Sequence, residues 1–209
     1  MKLKIDEFEE GVIKGDIILD PATVFTVAEI DKGYIENNGH INSYFYMDNP
    51  ETGSPICLRE RVEVLVFKDK KIFLCPSDDN DERDRTYYIP GGSTEENRTH
   101  EELLRAECRE EAAFEIKGLV KVGAYLTLFG KNKPKWHKEF LHPIGLEYDG
   151  YYTIQYVALF DKYIEEEVKN TKDIDQYMRD NGKFFDTRLV RNSLAYPHRI
   201  LVDAYKKIY

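Results

Sequence analysis

TYYIPGGSTEENRTHEELLRAECREEAAF, residues 86–114, is the stretch from which the rest of the chain can be read. Thr86 to Ile89 is rich in β-branched and aromatic residues and reads as a strand. Pro90-Gly91-Gly92 follows at once, and glycines directly after a strand permit a tight turn or a close approach of backbone to a ligand. A helix then begins. Thr99 suits its N-cap, and Glu101 and Glu102 stand in the first turn, where the helix dipole favours acids. Leu103, Leu104, Cys108 and Ala112 give it an apolar side. Nothing at Ala113 forces a stop, so the helix is expected to run on, with Gly118 as a later end.

The second half of this helix carries Glu107, Glu110 and Glu111. At 100° per residue the three fall on one stripe. Glu-rich helix faces are commonly just solvated. Three carboxylates this close, beside a glycine turn, also suit a hard divalent cation such as Mg²⁺, which prefers carboxylate oxygen and keeps several waters.

In this spacing the residues resemble the Nudix box, roughly G-x5-E-x7-R-E-U-x-E-E-x-G-U with U aliphatic. Gly92 matches the leading glycine, and Glu107, Glu110 and Glu111 match the glutamates that hold metal in that family. Cys108 and Phe114 stand at the two U positions. Three positions depart: Arg98 replaces the first Glu, Ala106 the Arg, and Ala113 the second Gly. The resemblance is specific over residues 90–114 and architectural elsewhere. It implies an α+β fold, a Nudix-type α/β/α sandwich with a mixed β-sheet, here with an N-terminal β-rich appendage. Residues 1–58 would be that appendage and 59–209 the hydrolase domain. In related proteins such an appendage mediates dimerisation or covers the substrate, so a homodimer is one expectation.

The composition fits one sizeable core with a small addition: 209 residues, of which 42% are hydrophobic. A net charge of −9 makes general nucleic-acid or membrane-surface binding a poor expectation, so a polyanion would need a locally basic site. Cys57, Cys75 and Cys108 form no disulfide framework, and a reducing, cytoplasmic setting is the simpler one. Neither a signal peptide nor an apolar run of membrane-spanning length is visible.

Before the box, residues 11–19 and 23–30 read as strands, and Asn37-Asn38-Gly39 as a turn after which Ile41 to Met47 pairs back. The turn-rich stretch 48–55 is the expected boundary. Arg61 to Lys68 and Ile72 to Cys75 read as a hairpin, and residues 76–85 as a polar surface loop. After the box come strands over 119–129 and 151–160, and a charged, mainly helical segment over 162–180 ended by Gly182. Asp186 starts a short helix, and a final helix follows Pro197 with an apolar stripe of Ile200, Leu201, Ala204, Tyr205 and Ile208. The five histidines are scattered and suggest no ligand set.

Between the last two long strands lies GKNKPKWHKEFLHPIGLEYDG, residues 130–150, long for a connection. It reads either as a solvated hairpin tip or as a flap. In the second reading Lys135 and Lys138 neutralise phosphates, Trp136 stacks on a base, and Glu139 serves as a general base. Arg98 adds a positive group near substrate phosphates or is merely a surface charge.

What the resemblance implies for chemistry is attack of water on phosphorus in a nucleoside diphosphate linked to another moiety, such as a nucleotide sugar, a dinucleotide or a nucleoside triphosphate. Mg²⁺ or Mn²⁺ would be held by Glu107, Glu110 and Glu111 with the Gly92 carbonyl, and Glu110, Glu111 or Glu139 would take the proton. Arg98, Lys135, Trp136 and Lys138 would touch substrate. Ala106 removes the arginine that in the family holds a box glutamate by a charge-assisted pair. Arg105 and Arg109 project from the other side of the helix and do not replace it simply. Two other readings stand beside this one: a nucleotide-binding protein of weak or absent activity, and an RNA 5′-end or cap hydrolase using the lysine-rich flap.

Overall fold

A computed structural model describes residues 17–19, 32–37, 40–48, 55–76, 87–95, 97–128, 149–164 and 173–194, and positions 198, 199, 201, 202 and 205. Contacts divide the chain into two units. One comprises Val62–Gly92, Thr99–Val122 and Gln155–Tyr209, the other Met1–Arg61, Ser93–Arg98 and Gly123–Ile154.

The first of these holds the glycine turn and the glutamate helix. Its strands are the second part of β4 (Pro55–Lys68), β5 (Lys71–Pro76), β6 (Tyr87–Tyr88), the first part of β7 (Gly91–Ser93), the first part of β8 (Phe114–Leu128), the second part of β9 (Gly150–Tyr163) and β10 (Lys183–Asp186). β9 lies between β8 and β4. β4 and β5 form the expected hairpin, pairing Phe67 with Ile72 and Lys68 with Lys71. Its two-residue turn starts with Asp69 at φ 55°, a left-handed backbone that aspartate tolerates better than most residues. β10 pairs antiparallel with β5, and so does β6.

Alternation along these strands sends side chains to two faces. Leu65 and Phe67 of β4, Ile72 and Leu74 of β5 and Val157 of β9 pack with Val190, Leu194, Leu201 and Val202. Tyr205 stacks on Phe67 with ring centroids 3.6 Å apart. Leu201 and Tyr205 thus serve core packing, as the apolar stripe after Pro197 suggests. On the opposite face Phe73 meets Phe114 and Phe184 edge-on. There α1 (His100–Ala112) and α2 (Asp173–Asn181) lie against each other, and α2 reaches β5 through the Tyr177 hydroxyl on the Pro76 carbonyl. Helices on both faces of a sheet give this unit the α/β/α layering of an α+β fold. Burial on both faces also explains why residues 62–67 are buried without a break.

The segment expected to be helical over 162–180 starts as strand, and its residues 165–172 lie outside the described ones. Lys162 and Tyr163 still belong to β9, and the described helix α2 begins at Asp173. Gly182 follows it and could carry no Cβ, which would fall 2.5 Å from the Met178 carbonyl oxygen. The short helix α3 (Thr187–Val190) is capped by the Asp186 carboxylate, as read from the sequence.

In the other unit β2 (Lys32–Asn37), β3 (His40–Asp48) and the start of β4 form an antiparallel run. Asn37 pairs with His40, as expected of a turn at Asn38-Gly39. β1 (Ile17–Leu19) pairs with the far end of β8. The strand read over 23–30 and residues 77–85 of the polar loop lie outside the described residues. No helix among those described is long and apolar enough to cross a membrane.

Candidate active site

The site is built on the two ends of α1 and on the turn before it. At the N-terminus Thr99 and Glu102 form a reciprocal capping box: the Glu102 amide donates to Thr99 Oγ1 and the Thr99 amide to Glu102 Oε2. Leu103, Leu104, Cys108 and Ala112 are buried, as the periodicity requires. At the other end the sequence reading needs correction. The helix does not continue past Ala113. Ala113 itself takes the left-handed conformation, φ 53° and ψ 41°, and its amide donates to the Cys108 carbonyl. The chain turns at the very position where a box glycine would stand, although alanine pays about 1–2 kcal/mol for that backbone. Gly118 lies inside β8 with φ 62° and ends no helix.

Tertiary contacts hold this strained stop in place. Ile164 donates its amide to the Ala113 carbonyl at 2.9 Å. Arg179, from α2, places Nε 2.6 Å from the Glu110 carbonyl and Nη2 2.6 Å from the Arg109 carbonyl. These are two of the four carbonyls a helix end leaves without intrahelical partners, and a cation there also complements the dipole.

Where the sequence reads a turn, Gly91 and Gly92 instead open the short strand β7, which pairs with β4. The Val64 amide donates to the Pro90 carbonyl at 2.9 Å. A Cβ on Gly91 would fall 2.7 Å from the Cα of Glu63 and closer still to the Val62 carbonyl, so only glycine fits against the strand. The Gly91 amide points the other way and donates to Glu111 Oε2 at 3.0 Å. Gly92 admits a second carboxylate. A Cβ there would fall 2.8 Å from Glu107 Cδ and closer to its Oε1. Two successive glycines thus have different tasks, one packing on β4 and one receiving Glu107.

Glu111 is a buried acid. Its charge reaches the neighbouring thiols. Burial first, and Glu111 second, push the Cys75 thiol up to about 11, and the same two causes in the same order raise Cys108 well above its ordinary value. Among the described residues no three His, Cys, Asp or Glu side chains converge closely enough to hold one ion. The donor set nevertheless fits a hard cation in chemistry. Glu107 and Glu111 bring carboxylate oxygens to one glycine pair, and a cation that keeps much of its water needs few protein ligands.

Of the remaining residues singled out in the sequence, Arg98 pairs with Glu95 at 3.4 Å. Arg105 binds Glu101 at 2.8 Å and the Ile116 carbonyl, and Arg109 binds Glu115 at 2.9 Å. Both are engaged away from the three glutamates, as their place on the helix suggests. Lys135, Trp136, Lys138 and Glu139 lie outside the described residues.

Two features escaped the sequence reading. One is the Arg179 fork. The other is a buried polar trio in which Gln155 Nε2 lies 2.8 Å and His198 Nε2 3.2 Å from Glu63 Oε1. A signal for the trio existed. Glu63 and Gln155 each interrupt an apolar strand buried on both faces, where a polar side chain needs a partner.

No protein-family model matches the sequence, and no curated protein does. Solved structures do show likeness. A pyrophosphohydrolase from Bacillus subtilis is 20% identical over 84% of this chain and 95% of its own, with a TM-score of 0.44. A NUDIX hydrolase from Nitrosomonas europaea is 15% identical over 65% of this chain and 77% of its own, with a TM-score of 0.43. A MutT mutator protein from Bacillus halodurans is 13% identical over 69% of this chain and 79% of its own, with a TM-score of 0.44. At these values the likeness decides neither family nor activity.

Proposed function

We propose that this chain is a Nudix-type pyrophosphohydrolase that cleaves a nucleoside diphosphate linked to another moiety, with Mg²⁺ or Mn²⁺ as cofactor. The observation that carries the reading is the meeting of Glu111 with the Gly91 amide and of Glu107 with the Gly92 backbone. It brings two of the three glutamates to the glycine pair, which supports the reading drawn from the sequence resemblance. In this reading Glu107, Glu110 and Glu111, with the Gly92 carbonyl, would hold the metal. The metal when bound would neutralise the pyrophosphate and acidify a water.

The chain's own groups would do the rest. Glu110, Glu111 or Glu139 accepts the proton of the attacking water. Lys135 and Lys138 neutralise phosphate oxygens, Trp136 stacks on the base, and Arg98 adds charge near the phosphates. Residues 59–209 form the catalytic domain, and residues 1–58 an appendage that covers substrate or mediates dimerisation. Buried cysteines outside any disulfide support a reducing, cytoplasmic setting.

A second reading, a nucleotide-binding protein of weak or no activity, is favoured by one observation: among the described residues no three carboxylates converge on one point. Product analysis separates the two. The enzyme, given a mixed panel of nucleotide sugars, dinucleotides and nucleoside triphosphates at millimolar Mg²⁺, releases nucleoside monophosphate or pyrophosphate. A pure binder is thermally stabilised by a panel member and yields no product.

A further inference from the structure

The last turn of α1 carries Glu110 and Glu111, yet it lacks both usual means of fixing it. Ala106 offers no guanidinium, and Ala113 closes the helix in a backbone conformation that opposes its own side chain. Arg179 reaches in from α2, which lies along α1, and grips the Arg109 and Glu110 carbonyls with two nitrogens, each at 2.6 Å. The guanidinium is a rigid planar fork, so two such bonds set the orientation of the peptide planes as well as their position. Those planes precede the Cα atoms of Glu110 and Glu111. Their tilt therefore sets the direction in which both carboxylates leave the helix.

We infer that Arg179 is a positioning residue for the carboxylates of α1, supplying from a different helix, and through backbone carbonyls, the support that Ala106 cannot give. This rests on the reading of the glutamates as a metal site. Arg179 itself touches neither substrate nor metal in this account.

The test is Mn²⁺ binding to the full-length protein without substrate, read from the paramagnetic resonance of free Mn²⁺ and set beside the thermal midpoint. Arg179→Gln is expected to weaken Mn²⁺ affinity about 10- to 100-fold, the range seen when support behind a ligand is lost. A merely structural role is excluded by a second variant. Ala113→Gly relieves the strained cap, so the double variant Arg179→Gln/Ala113→Gly is expected to regain thermal stability while Mn²⁺ binding stays weak. Arg179→Lys, which keeps charge but not the fork, is expected to fall between. Unchanged Mn²⁺ affinity in Arg179→Gln, or affinity recovered together with stability in the double variant, overturns the inference alone. A wild type that binds no Mn²⁺ overturns the metal site as well.

Discussion

Gly91 donates its backbone amide to the buried carboxylate of Glu111 across 3.0 Å, tying the start of β7 to the last turn of α1. An amide-to-carboxylate bond favours the charged acid and aims it. The neighbouring glycine is held differently, and substitution separates the two. In Gly91→Ala the new methyl group meets backbone, which cannot move aside, so a stability loss of about 1–3 kcal/mol is expected. In Gly92→Ala it meets only the end of the Glu107 side chain. That variant should melt near the wild-type temperature but bind Mn²⁺ about 10-fold or more weakly. Calorimetry and metal titration of both proteins check this; a Gly92→Ala protein with normal metal binding would remove Glu107 from the site.

Ala113 makes the opposite case, a position that would be better as glycine. Its left-handed backbone costs alanine about 1 kcal/mol or more, so Ala113→Gly should stabilise the protein by about 1 kcal/mol. For a chain of this size that corresponds to a rise of about 2–4 °C in the thermal midpoint. A fall in midpoint would show that the helix end is not strained as described.

The Glu63–Gln155–His198 trio is a structural commitment in an apolar layer. His198→Ala removes one of the donors to Glu63 Oε1 and leaves a hole beside it. A loss of about 1–3 kcal/mol is expected, since a buried acceptor loses one of its hydrogen bonds and the ring its packing. Chemical denaturation measures it. A loss under about 0.5 kcal/mol would mean that the trio is hydrated and contributes little.

Cys57, Cys75 and Cys108 are buried and in no disulfide. With the Cys75 thiol raised to about 11 by burial and by Glu111, and Cys108 raised as well, neither should react with a thiol reagent at pH 8 until the protein unfolds. The sign of the linkage follows. The unfolded chain releases the Cys75 proton near pH 9.0 and the folded chain near 11, so in that window the folded state binds the extra proton and stability falls as pH rises. Rapid labelling of Cys75 in the native protein at pH 8 would contradict the burial of this corner.

Much of this architecture was legible because it depends on local pattern. The capping box at Thr99 and Glu102, the hairpin at Asp69-Lys70 and the Asp186 cap are each written in a few consecutive residues. The apolar side of α1 came from its period. The helix end did not, because propensity alone gives no reason to stop at an alanine; the stop is imposed by Ile164, by Arg179 and by the strand that begins at Phe114. The Arg179 fork was illegible for a related reason. A lone arginine 69 residues from the carbonyl it binds leaves no spacing signal. For the site itself, the sequence named Gly92, Glu107 and Glu111 as neighbours. That Gly91 rather than Gly92 supplies the amide to Glu111 emerged only from the packing of the turn on β4.

In the proposed hydrolase the Glu111 carboxylate has a role in turnover beyond holding the Gly91 amide. Its most direct test is the initial rate of product release at saturating Mg²⁺ on the best substrate of the panel, for wild type and Glu111→Gln side by side. Glutamine keeps an oxygen for the Gly91 amide, so the fold is retained while the charge is lost. A rate lowered by about 100-fold or more at a nearly unchanged thermal midpoint is expected. Equal rates for the two proteins, or no turnover by the wild type on any panel member, would contradict it.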